Sequence, residues 1–157
     1  MFDHVTLRVR SLDESIQFYD RLFELLGFEG TRYADDTGAI WDDFGFYVGP
    51  PYTRGLEVVF AAPSAVSIPA VDPNGTTLEA VERPGGGGGV AGVRLCVRSV
   101  EESLRFYRTV APVLGIDPTE RISFAESPEP TENFHLAFPA PDDATVDEFH
   151  RVALAAG

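Results

Sequence analysis

Val5-Thr6-Leu7-Arg8-Val9-Arg10-Ser11 returns, at an offset of 88, as Val93-Arg94-Leu95-Cys96-Val97-Arg98-Ser99. Across residues 5–29, eleven of 25 positions match: Val5, Leu7, Val9, Arg10, Ser11, Glu14, Ser15, Phe18, Tyr19, Leu26 and Gly27. A second match, at an offset of 78, sets residues 53–64 against 131–142 and aligns Phe60 with Phe138, Ala62 with Ala140 and Pro63 with Pro141. An internal repeat of this length decides the architecture before any single element does. Each copy opens as a strand, because Val5, Leu7 and Val9 alternate with His4, Thr6 and Arg8 at the period of a half-buried strand.

A helix follows in each copy. Ser11 and Glu14 form a capping box, and Leu12, Ile16, Tyr19, Phe23 and Leu26 then step by 4, 3, 4 and 3 onto one helix face. Gly27 suits the left-handed residue beyond the last turn. In the second copy the box is Ser99 with Glu102, the stripe runs from Val100 to Leu114, and Gly115 closes it. Pro112 removes one backbone bond and is expected to distort this helix. Short strands are expected at 30–34, 40–48 and 56–61. A hairpin is expected from 66–71 and 77–81 across Asp72-Pro73-Asn74-Gly75. Residues 85–89 are five consecutive glycines and read as a flexible linker. Strands at 121–124 and 134–138 and a last helix at 146–155, boxed by Thr145 and Glu148, complete the second copy. Strand, helix, then several strands, twice over, predicts an α+β fold of paired βαβββ modules. The first unit is 1–84 and the second 90–157.

The chain has 157 residues, which suits one compact domain or two small ones. Its 44% apolar and 24% charged content is that of a globular protein. No apolar run reaches transmembrane length, and Met1-Phe2-Asp3-His4 does not open a signal peptide, so the expectation is a cytoplasmic protein. With one cysteine, Cys96, neither an internal disulfide nor a multi-Cys zinc site is available. Twenty-five acids face twelve bases, all Arg, for a net charge of −13. Such a surface is expected to keep the protein soluble and to repel nucleic acid and anionic membrane. Without Lys there is no Schiff-base amine and no P-loop lysine. The glycine run lacks the strand-to-helix setting of a phosphate cradle.

Several stretches carry a family likeness: Asp3-His4-Val5-Thr6-Leu7-Arg8-Val9, then Ser15, Phe18-Tyr19 and Leu26-Gly27-Phe28, and Asp72-Pro73-Asn74-Gly75-Thr76-Thr77-Leu78-Glu79. Phe134-His135-Leu136-Ala137-Phe138 followed by Val146-Asp147-Glu148-Phe149-His150 looks like the start of a further module. Together they resemble the vicinal oxygen chelate superfamily of glyoxalase I, bleomycin-resistance and extradiol dioxygenase proteins. The resemblance implies a curved mixed sheet whose concave face holds a divalent metal (Fe, Mn, Ni, Co or Zn) on His and Glu from non-adjacent strands. By strand position His4, Glu57 and Glu79 match that set, with Glu79 also the catalytic group. Each alternates with core residues of its own strand, His4 with Val5, Glu57 with Leu56 and Val58, Glu79 with Leu78 and Ala80. One His and two carboxylates suit such an ion and leave room for two substrate oxygens. Glu57 stands where ring-cleaving relatives carry His.

The likeness has gaps. The first unit lacks the helix that usually precedes the closing hairpin. The second lacks the closing strands, has Gly92 in place of His4, and keeps His135 where the first copy has Glu57. The second half then reads as degenerate, or His135 joins the first set to give two His and two Glu. Other candidates follow from the residues. Trp41, Phe44, Phe46 and Tyr47 share one predicted strand and are either core or the wall of a substrate pocket. Tyr33 and Tyr52 offer pocket hydroxyls, and Arg8 and Arg54 offer charge to an anionic substrate. Cys96 lies beside Arg94 and Arg98 without a histidine, and His150 sits on the last helix. Three functions remain: a metal-dependent lyase or dioxygenase acting on a small vicinal-oxygen substrate, a metal-free drug- or metabolite-binding protein, or an inactive truncated scaffold. Incomplete sheets leave open edges, which predicts a homodimer or a swapped assembly.

Overall fold

A computed structural model describes residues 3–84 and 87–157. Met1 and Phe2 of the N-terminal stretch, and Gly85 and Gly86 of the glycine run, lie outside the described residues. The order is β1 (His4–Val9), α1 (Leu12–Leu25), β2 (Arg32–Ala34), β3 (Gly38–Trp41), β4 (Phe44–Val48), β5 (Leu56–Ala62) and β6 (Thr77–Glu82), then β7 (Val90–Val97), α2 (Val100–Leu114), β8 (Ile122–Glu126), β9 (His135–Ala137) and α3 (Asp143–Ala156). The fold is α+β. Its strands form two mixed sheets, ordered β2-β3-β4-β1-β9 and β6-β5-β7-β8.

The two openings are equivalent, as the repeat requires. β1 leads into α1 and pairs in parallel with β4; β7 leads into α2 and pairs in parallel with β8. Both helices start on a serine whose hydroxyl accepts the backbone N–H of the Glu three residues on, Glu14 or Glu102, removing one of the free donors of the first turn. α1 ends in a Schellman turn: the Phe28 N–H reaches Phe23 O, the Gly27 N–H reaches Glu24 O, and Gly27 takes φ +70°. α2 ends on Gly115 in the left-handed region and runs two residues past Pro112. That proline falls in the last turn and costs the helix a single bond.

The repeats exchange strands. β9 of the second copy lies antiparallel on β1, and β5 of the first copy lies antiparallel on β7. β5 and β9 are the segments matched at offset 78, so each copy's opening strand pairs with the other copy's later strand. Between the sheets lies a core that draws on both. Val5, Leu7, Tyr19, Phe23, Trp41, Phe44 and Phe46 meet Val58, Phe60 and Val93. The Phe44 and Phe60 rings lie 5.2 Å apart and Phe23 and Trp41 5.3 Å apart. Burying each such side chain is worth roughly 1.5–3 kcal/mol, so the aromatic cluster is a main tie between the sheets.

Two polar locks frame it. The loop at Asp72 fastens α1: the Tyr19 hydroxyl donates to Asp72 Oδ2 at 2.9 Å, while Asp72 Oδ1 accepts the Asn74 and Thr76 N–H groups. Burial first, and then the Asp72 charge and hydrogen bond, raise the Tyr19 hydroxyl well above its ordinary pKa. The second copy has no such loop, and its equivalent, Tyr107, is raised by burial alone. The other lock joins the sheets at Asp43, whose carboxylate accepts the Val90 N–H and whose carbonyl accepts that of Val5. Burial raises the Asp43 pKa even though the Val90 N–H pulls it down.

Several expected elements differ. The strand expected at 40–48 is two, β3 and β4, turned at Asp42 with φ +45°. Residues 66–71 do not form a strand; a single bridge joins Val71 to Thr77, and β6 pairs in parallel with β5. No helix lies between β5 and β6, as expected for the first unit. Gly88 and Gly89 of the linker are held rather than free, since Ala61 accepts the Gly88 N–H and donates to Gly89 O. α3 begins at Asp143, three residues earlier than expected, because Asp142 caps it through the Thr145 N–H; Glu148 pairs with Arg151 instead.

Candidate functional site

Alternation along β1 sends Val5, Leu7 and Val9 into the core and His4, Thr6 and Arg8 to the opposite face of the five-stranded sheet. Register then fixes their neighbours. Tyr33 pairs with Ile40, Ile40 with Gly45, Gly45 with Thr6, and Thr6 with His135. One row of five residues therefore crosses the whole sheet, and beside it runs a shorter row of Gly38, Tyr47 and Arg8. Gly45 sits mid-row without a side chain, so the floor dips there. A Cβ on Gly38 would lie 2.3 Å from Phe46 O and 2.8 Å from Tyr47 Cδ1, so the Tyr47 ring closes directly over a glycine.

Two cavities lie along these rows. One, of about 220 Å³, is lined by Tyr33, Asp35, Ile40, Thr6 and Tyr47 among others. The second, of about 390 Å³, is lined by Thr6, Tyr47, Arg8, Asn133, Phe134 and His135 among others. Thr6 and Tyr47 belong to both, which makes them one trough with an aromatic end and a polar end. Its walls present large aromatic surfaces to solvent, Tyr33 being 70% and Tyr47 49% exposed. Beneath them Thr6 is 5% exposed, and its Oγ1 is the one buried side-chain polar atom among the described residues without a hydrogen-bond partner. A buried hydroxyl left unpaired costs about 1–3 kcal/mol, and native structures rarely tolerate one without a reason.

The polar end is built by both repeats. Thr53, buried, accepts the Arg8 N–H and donates to Asn133 O at 2.6 Å. Asn133 sits at φ +58° and donates to Tyr52 O. These bonds hold the segment before β9 against β1 and so set His135 in place. The His4 and His135 rings meet edge to face at 5.1 Å, and His4 Nδ1 lies 2.7 Å from Asp3 Oδ2. The Arg8 side chain has no hydrogen-bond or ion-pair partner among the described residues.

The expected metal set is not assembled. His4 lies in the five-stranded sheet, while Glu57 and Glu79 lie together on the outer face of the other. Glu57 is taken up by Arg94, 3.0 Å away, and Glu79 is exposed. Among the described residues no three His, Cys, Asp or Glu side chains are close enough to hold a metal ion. His135, the possible extra ligand, does reach His4 but brings neither carboxylate with it. As placed, these residues do not fit a shared divalent metal. The physical reason is the strand exchange, which pairs β1 with β9 and leaves β5 and β6 to β7.

Of the expected pocket residues, Trp41, Phe44 and Phe46 are core, at 3%, 0% and 0% exposure; Tyr33 lines the trough. Tyr47, of the same predicted strand, also faces it, because it alternates with Phe46. Tyr52 lies under the Arg10 guanidinium, 4.5 Å from its ring centre. Arg54 is held through its backbone to Glu132. Cys96 is a free thiol whose backbone N–H is bonded to Thr131. Thr6, Ile40 and Asn133 escape the sequence reading. Only Thr6 had a signal there, as the smallest residue on the outward face of β1.

No protein-family model, curated protein or solved structure matches this chain. Among the described residues no helix is long and apolar enough to cross a membrane.

Proposed function

We propose that this protein binds a small organic molecule, without metal, in the trough on the outer face of the five-stranded sheet. This is the metabolite-binding alternative of the sequence reading, chosen over the lyase or dioxygenase because the metal ligands stay apart. The observation that carries it is the pair of cavities that share Thr6 and Tyr47 on one face of the sheet. Exposed Tyr33 and Tyr47 supply flat apolar walls, and both repeats contribute to the far end, so the sheet is complete around the trough.

The test is a titration of ¹⁵N-labelled protein with 2-naphthylmethanol, an uncharged aromatic probe carrying one hydroxyl. Amide shifts are expected at Thr6, Ile40, Gly45 and Tyr47, saturating together, and weaker binding in Tyr47→Ala. Shifts scattered over the surface, or none up to the solubility limit, would count against the trough as a binding site.

A further inference from the structure

We infer that the trough selects flat aromatic carboxylates, seating the ring between Tyr33, Ile40 and Tyr47 and the carboxylate at Arg8. The inference rests on the trough being a binding site and goes further by giving it a polarity. Asp35 lies at the aromatic end. Its carboxylate oxygen Oδ1 already accepts the Thr37 N–H, the Thr37 hydroxyl and the Gly38 N–H. Those three bonds hold its pKa below the ordinary carboxylate value, so it stays charged and repels an anion there. At the other end Arg8 lines the cavity and no Asp or Glu is among the lining residues, in a chain where acids outnumber bases 25 to 12. Among the described residues three arginines form ion pairs, Arg32 with Asp20, Arg94 with Glu57 and Arg151 with Glu148, and of those left without one Arg8 is the one that lines the trough.

The remaining groups fit the same ligand. The planar guanidinium takes a carboxylate through two parallel N–H bonds. Asn133 and His135 stand next to it on the cavity wall. Between the ends, Thr6 lies under the middle of the trough and belongs to the lining of both cavities. Crossing from β1 to β2 takes three strand spacings, about 14 Å, long enough for a two-ring acid to lie along the trough.

The experiment compares 2-naphthoate with 2-naphthylmethanol by amide shifts, on wild type and on Arg8→Gln, near neutral pH. Arg8 is exposed and its side chain is unpaired, so Arg8→Gln leaves the fold intact. The expected result is about five- to tenfold tighter binding of 2-naphthoate than of 2-naphthylmethanol by wild type, and a ratio that falls to within about twofold of one in Arg8→Gln, whatever that variant's affinity for 2-naphthylmethanol. Equal affinities for the two probes in wild type, or a preference that survives Arg8→Gln, would overturn the carboxylate polarity and leave the trough standing. If neither probe shifts the Thr6, Gly45 and Tyr47 amides, the binding site itself is refuted and the polarity falls with it.

Discussion

Replacing Thr6 by Val tests the unpaired hydroxyl directly. The two side chains have nearly the same shape and both favour strands, so Thr6→Val removes one buried polar atom and little else. Thr6 is 5% exposed and its Oγ1 has no partner, so wild type carries the desolvation cost of a lone hydroxyl with no bond to offset it. Removing it is expected to raise stability by about 1–2 kcal/mol. In a chain of this size that is roughly 2–8 °C in Tm. Urea unfolding should show a higher midpoint with an unchanged slope, since the surface exposed on unfolding is the same. Thr6→Ser is the control: it keeps the hydroxyl, loses a buried methyl, and should cost about 1 kcal/mol. A variant Thr6→Val that is less stable than wild type, or within about 0.3 kcal/mol of it, would show that the hydroxyl is already satisfied.

Other outcomes follow from the locks described above. Tyr19 has a raised pKa in the folded state, so its contribution is whole below about pH 10 and is lost as pH rises past the unfolded value. Urea midpoints taken from pH 9 to 11 should fall steeply in wild type and less in Tyr19→Phe, with Tyr107 supplying the remainder; equal falls would refute Tyr19 as the source. The Asp43 pKa is also raised, so its charge weighs against folding at neutral pH and the burden lifts as pH drops toward the unfolded carboxyl value of about 3.9. Asp43→Asn, which keeps an acceptor for the Val90 N–H, should match or exceed wild type at pH 7 by under about 1 kcal/mol after allowing for solvent screening. That gap should close by pH 3, and a gap independent of pH would refute the assignment. Gly38→Ala should cost at least about 2 kcal/mol in urea unfolding, because its Cβ meets backbone at 2.3 Å and neither strand has a flexible end to move away. Wild-type stability in that variant would show that the β3–β4 register is looser than described.

The helices were legible because their signals are local. Ser11, Glu14 and Gly27 act within one turn of their own positions, and the apolar stripe needs only a 3.6-residue period. The β3–β4 turn was hidden by the apolar run on both sides, although the pair Asp42-Asp43 broke it, and Asp is among the residues that accept a left-handed φ. Alternation gave the right face for His4, Glu57 and Glu79: each does point away from the core. What alternation does not carry is which strand lies alongside, because partners in a sheet are set by packing between segments far apart in sequence. The metal set failed there. His4 was read as sharing a sheet with Glu57, and it shares one with His135.

That exchange also explains why the trough exists on one sheet and not on the other. Thr6 is paired with His135 in the first sheet, and the repeat puts Arg94 and Glu57 at the same two places in the second, where they too are direct partners. In the first sheet a hydroxyl and an imidazole face the trough; in the second, Arg94 and Glu57 pair with each other at 3.0 Å. The walls differ in the same sense. Beyond β4 the first sheet continues into β3 and β2, which bring Ile40 and Tyr33, whereas β8, the counterpart of β4, is the sheet edge. The duplicated segments thus reach one topology with two outcomes, an ion pair on an unwalled face and an open polar pair under aromatic walls. The difference lies in two residues and one hairpin.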